Sequence, residues 1–183
     1  MRINKSLNLV LPVEIDGVDC WIHSTPISLD VFEKYFEPMS LALSTMYAQG
    51  NHIAAPKIAA MMLKKVAKRL GEWEGADGVQ NGLINEIKRL TNLVIPGANG
   101  WETLPYYVAV QQNRLTADDI SEIESIVIFF ILASSVHGKK WLPLVIPLLE
   151  RWGAQEEYLT STEFAASLPI LTKAETSTKV ESI

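Results

Sequence analysis

The chain has 183 residues, 48% hydrophobic and 20% charged, enough for one packed domain plus an appendage and far from the composition of a disordered polymer. Its 16 basic and 21 acidic residues leave a formal charge of -5, which argues against a dedicated nucleic-acid binder because phosphate contacts need a basic surface. A lone cysteine, Cys20, excludes an internal disulfide and fits a reducing compartment.

The first segment, "MRINKSLNLVLPVEIDG", is interrupted by Asn4, Lys5, Asn8, Pro12 and Glu14 and lacks a small-residue cleavage site, so export is not expected. Residues 7–23 read as a β-hairpin. Leu7, Leu9, Leu11, Val13 and Ile15 alternate with period two, and Asp16-Gly17 is a two-residue turn signal. Pairing Ile15 with Val18 sets Val13 opposite Cys20 and Leu11 opposite Ile22, giving one apolar face. Pro12 cannot donate to a ladder, so the first strand is an edge or turns that position outward.

Helical signals follow. Ser28 caps "LDVFEKYFE", and Pro38 breaks or restarts that helix before "MSLALSTMYAQG". "APKIAAMMLKKVAKRLG" has Pro56 in its first turn, Gly71 at its stop, and Ile58, Met62, Val66 and Leu70 along one side. "EWEGADGVQNG" reads as a loop, "LINEIKRLTNLVI" as a helix, and "PGANGWETLP" as a turn-rich connector into a short helix at "YYVAVQQN". Thr116 and Asp119 form a capping-box pattern for a long helix ending near Gly138. Its stretch "SIVIFFILASSVHG" is shorter than the roughly 20 residues needed to span a bilayer and reads as a core helix. "KKWLPLVIPLLERWG" carries Pro143 and Pro147 and is expected to be kinked.

The expected architecture is therefore mainly α: a helical domain over residues 1–153 with the small N-terminal hairpin at 7–23, then a flexible Ser/Thr-rich tail, 154–183, holding a short apolar island. In that island, "STEFAASLPIL", Phe164 and Leu168 fall on one side of a short helix ended by Pro169, with Leu171 just beyond. Two roles suit it: a latch over an apolar groove of the helical domain, or a docking peptide for another protein.

Chemistry-bearing patterns are sparse. Cys20 and His23 have half of a metal-site spacing, but zinc needs three or four ligands and the two alternate to opposite strand faces. No serine, cysteine or threonine sits in a recognisable nucleophile context, and "GADGVQNG" lacks the G-K-[ST] ending of a phosphate loop. The acidic residues Asp118, Asp119, Glu122 and Glu124 lie where a helix start favours negative charge. No enzymatic activity, catalytic residue, cofactor or metal is expected.

Features suited to protein contact stand out more. Lys57, Lys64, Lys65, Lys68 and Arg69 run through a segment without acidic residues between Pro38 and Gly71, either as a solvated helix face or as a site for an acidic partner. Trp73, Trp101 and Trp152 lie in or beside turn-rich segments, where tryptophan serves interfaces and plugs core ends alike. Met39, Met46, Met61 and Met62 with Tyr35 and Tyr47 either fill the core or line a groove for helical clients.

The segments "INKSLNLVLPVEIDG", "IHSTPIS" followed by "FEKYF", "MMLKK" before "WEGADGVQNGLINEIKRLTNLVIPG", "NGWETLP" and "WGAQEEYLTSTEFAASLP" together resemble the tail assembly chaperones of long-tailed, siphovirus-like bacteriophages and prophages. The resemblance spans nearly the whole chain and rests on extended segments. It implies a small, mainly helical, non-enzymatic protein of the host cytoplasm that binds the tape measure protein, keeps it soluble and recruits the major tail-tube protein. It also implies that residues after 155 lie near the junction to a frameshifted longer form. Self-association stays open, and neither nucleic acid nor membrane is an expected partner. Candidate protein-binding residues are Phe164, Leu168, Leu171, Lys64, Lys68, Trp73 and Trp101. The alternative is a structural virion protein of the tail or connector.

Overall fold

The computed structural model describes residues 7–137 and 142–169. Strand β1 (Asn8–Ile15) turns through Asp16 and Gly17 into β2 (Val18–Ser24). Both turn residues have positive φ, 51° and 77°, as a type I′ turn requires, and this turn matches the twist of the strands it joins. The register is Ile15 to Val18, Val13 to Cys20 and Leu11 to Ile22, as the alternation predicts.

The sheet does not stop there, and this corrects the mainly α expectation. Of the described residues 55% are helical and 20% lie in strands, so the fold is mixed α/β. Residues expected to continue a helix form β3 (Thr91–Gly97), which pairs with β2, and the expected connector forms β4 (Gly100–Pro105), joined to β3 through Ala98 and Asn99. The short β5 (Gln155–Glu157) pairs with the other side of β1 at Asn8, Leu9 and Val10. The result is an antiparallel sheet of order β4-β3-β2-β1-β5. Thr91, Val94 and Ile95 favour the pleat, and a strand with partners outweighs a helical run that Pro96 would break.

Pro12 fits this order. Because Ile15 and Val18 close a two-residue turn as a hydrogen-bonded pair, Pro12 and Trp21 form a non-bonded pair, and the Pro12 nitrogen points away from β2. There β5 has already ended, at Gln155 opposite Val10. The proline therefore costs no ladder bond and leaves the remaining edge of β1 a poor template for another strand.

Helices pack on one face of the sheet: α1 (Leu29–Lys34), α2 (Phe36–Ala48), α3 (Ala55–Leu70), α4 (Asn85–Arg89) after a π-turn at Gln80–Ile84, α5 (Tyr106–Gln111), α6 (Ala117–His137) and α7 (Leu142–Glu150). Ser28 caps α1, Pro56 starts α3, and Gly71 ends α3 with a φ of 75°, in the left-handed region. The central helix is α6, buried without a break from Ile126 to Ala133 among its neighbours α2, α3, α4 and α7. A helix apolar on all sides can be stable only when wrapped in this way, with each fully buried leucine, isoleucine or phenylalanine contributing about 1.5–3 kcal/mol. Among the described residues no helix is long and apolar enough to cross a membrane.

The last helix, α8 (Ser161–Ser167), lies on the opposite face of the sheet. The expected domain boundary near 153 falls between α7 and β5. The segment beyond it supplies an edge strand and a helical cover for the sheet, and α8 seats on that sheet instead of on a groove among the helices.

Candidate functional site

Strand alternation sends Leu9, Leu11, Cys20, Ile22 and Leu93 into the main core and leaves Val10, Trp21, His23, Val94 and Trp101 on the other face. That outer strip is apolar and needs cover. The cover is α8, which starts with a reciprocal capping box: the Glu163 amide donates to Thr160 Oγ1 at 3.3 Å, and the Thr160 amide donates to the Glu163 carboxylate at 2.8 Å. It ends at Leu168, whose extended backbone suits a residue before proline. Phe164 and Ala165 are buried against Val10 and Val94, and Leu159 and Leu168 flank them.

Aromatic and polar contacts fix the geometry. The Phe164 ring meets Trp21 edge-on, with centroids 5.7 Å apart at 77°, and tilts over the His23 imidazole at 6.1 Å. The Trp101 indole donates to the Pro169 carbonyl at 2.9 Å. Just before α8, the Leu159 carbonyl accepts from the Asn8 side-chain amide at 2.8 Å and from His23 Nε2 at 2.9 Å.

A carbonyl can only accept, so His23 Nε2 carries a proton. Nδ1 is buried and has no hydrogen-bond partner among the described residues. Burial is the main reason that the His23 pKa lies below its ordinary value; the Leu159 carbonyl and the Glu157 carboxylate oppose the shift and do not cancel it. The imidazole is thus a neutral donor that fastens the segment ahead of α8.

The candidate residues fall into two groups. Phe164, Leu168 and Trp101 come together on the outer strip, while Leu171 lies outside the described residues. Lys64 and Lys68 lie exposed along the solvent side of α3, with Lys64 Nζ 5.6 Å from the centre of the Trp73 ring. Trp73 is half-buried against the main core, so this second group sits in the helical layer, away from α8. Exposed cation–π contacts of this kind contribute about 0.5–1 kcal/mol, and Lys57 over Trp152, at 5.4 Å, makes another.

The methionines resolve similarly. Met39, Met46 and Met62 are core residues, as is Tyr35, and only Met61 of the proposed set is strongly exposed. Tyr47 borders an open groove of about 430 Å³ beside Ser40, Leu41, Ser44 and Val136.

Cys20 and His23 face opposite sides of the sheet, and no group of three or more metal-ligating side chains gathers among the described residues. A partly exposed ion pair joins Lys88 to Glu124 at 2.9 Å beside the buried Tyr106 hydroxyl, whose pKa is raised mainly by burial. The cavity there, about 10 Å³, is the size of one water molecule and not of a substrate.

Sequence reasoning missed Trp21, Asn8 and Leu159 as parts of the site and weighed His23 only with Cys20 as half of a metal-site spacing, which it set aside. The available signal was Trp21 and His23 alternating onto the face of the hairpin opposite the apolar one, where two such rings imply a cover. No protein-family model, no curated protein and no solved structure matches the chain.

Proposed function

We propose that the chain is a phage tail assembly chaperone, acting in the host cytoplasm by reversible protein binding: it holds the tape measure protein in solution and presents it to tail-tube subunits. Two things support this reading. One is the near full-length resemblance of its segments to that family. The other is the outer strip, where an aromatic-lined apolar surface accommodates a short amphipathic helix, the type of element that a long helical client offers in many copies. The strip is the single observation that carries the reading, because it is an apolar surface that holds a short helix and is separate from the main core.

The test is co-expression with the tape measure protein of the same phage. The chaperone reading expects a co-purifying complex and a larger soluble fraction of the client. Absence of both, with the chain itself soluble and folded, refutes it. Stoichiometric copies of the chain in purified virions would instead favour a structural protein of the tail or connector.

A further inference from the structure

We propose that the outer strip formed by Val10, Trp21, Val94 and Trp101 is a binding site for an amphipathic helix of a partner protein. In this arrangement α8 is a self-ligand that holds the site closed until that helix displaces it. The inference rests on the protein-binding reading above and adds the surface, the chemistry of the ligand and the means of control.

Three observations carry it. The cluster under α8 is disjoint from the main core: Val10, Val94, Phe164 and Ala165 are its buried members, so α8 can leave without opening the helical layer. Next, α8 has seven residues, well below the roughly 12–15 at which an isolated helix becomes even marginal in water. Its helical state therefore depends on the strip, and a longer helix that keeps its own structure competes at an advantage. Finally, the fixed points at the two ends are backbone carbonyls, Leu159 under Asn8 and His23, and Pro169 under Trp101. A foreign chain can supply the same groups.

What α8 presents to the strip defines what the strip accepts: an aromatic ring at Phe164, a small residue beside it, Ala165, and an aliphatic side chain four places after the ring, Leu168. The partner is thus a helix with an aromatic–leucine pair at i and i+4, separated by alanine-sized residues.

The test uses the full chain with α8 weakened by Phe164→Ser and Leu168→Ser, and a fluorescein-labelled peptide of residues 158–169, "YLTSTEFAASLP", as the probe. Opening the strip is expected to tighten peptide binding roughly tenfold or more over the unaltered chain, because apparent affinity scales with the fraction of open molecules. Adding Asn92→Cys and Ser161→Cys, whose native side chains already meet at 3.5 Å, is expected to abolish binding when oxidised and restore it on reduction.

A weakened variant that unfolds cooperatively yet binds the peptide no better than the unaltered chain overturns the proposal. So does one that exchanges α8 between copies into dimers and leaves the peptide unbound. If the variant does not fold, the unaltered chain decides: excess unlabelled peptide must shift the amide resonances of 162–168 in the isotope-labelled chain saturably as α8 is displaced, and unmoved resonances at millimolar peptide refute the site. The probe is the chain's own sequence, so peptide binding with failed client co-expression sinks the chaperone reading alone, and the converse sinks the strip alone.

Discussion

Truncating Phe164 to alanine separates a local latch from a structural element of the whole fold. The ring is 8% exposed, and its removal takes away about 100 Å² of buried apolar area, worth about 2.5 kcal/mol at ~25 cal/mol per Å². Loss of the edge-on contact with Trp21 adds about 0.5–1 kcal/mol, for a total near 3 kcal/mol. Because its cluster is separate from the main core, this loss falls on closure of α8, and it saturates once α8 detaches. Hydrogen exchange of the amides at 162–168 is expected to accelerate by the factor that matches the loss in global unfolding free energy, up to roughly a hundredfold for about 3 kcal/mol. Both stop changing once α8 is detached, and the amides of α6 still exchange only through global unfolding. Unchanged exchange at those amides of α8 would refute the reasoning. Exchange of α8 in step with α6 would do so too.

Further outcomes follow from the same contacts. The His23 pKa is lowered on folding, so above its unfolded value of about 6.5 the protein holds the full stabilisation. As pH falls through that value toward the folded pKa, the unfolded chain takes up the proton first and stability declines; urea midpoints at pH 7.5 and 5.5 are expected to show this, and His23→Gln to reduce the difference. Gly82→Ala places a methyl group into the Tyr35 hydroxyl, which donates to the Asp77 carbonyl at 3.1 Å; a loss of about 1–3 kcal/mol by chemical denaturation is expected, and Tyr35→Phe is expected to recover part of it. Ser125→Ala removes a buried hydroxyl that donates to the Lys57 carbonyl at 2.8 Å and accepts from the Ala60 amide at 3.2 Å, at an expected cost of about 1–3 kcal/mol in thermal or urea unfolding. Thr160→Ala deletes the α8 cap, with about 1 kcal/mol lost from α8 protection in hydrogen exchange and the same amount from the global unfolding free energy in urea.

Local chemistry was legible where it was strong. The hairpin register followed from alternation and Asp16-Gly17, the limits of α3 from Pro56 and Gly71, and the start of α6 from Thr116 and Asp119, whose amide donates to the Thr160-like hydroxyl of Thr116 at 3.2 Å. Strand β3 was hidden because Leu83, Ile87 and Leu90 set a helical rhythm into which Val94 falls, while its partners on β2 lie some 70 positions earlier in the chain. Strand β5 is three charged or polar residues, too short to carry a period, and exists only because β1 offers it a ladder. For α8 the helix, its ring–leucine side and its proline stop were readable. Its seat was not, since that depends on strands the local pattern did not reveal.

The pairing of β5 with β1 also sets an order of events during synthesis. Asn8 waits for Leu159, 151 positions later, so the strip beneath α8 stays bare after β4 has been made. At about 5–20 residues per second, the 60 or so residues from β4 to α8 take several seconds to emerge. Every new molecule therefore passes through an interval in which Trp21 and Val94 wait for their own helix, and the last part of the chain to be made is the part that closes the strip.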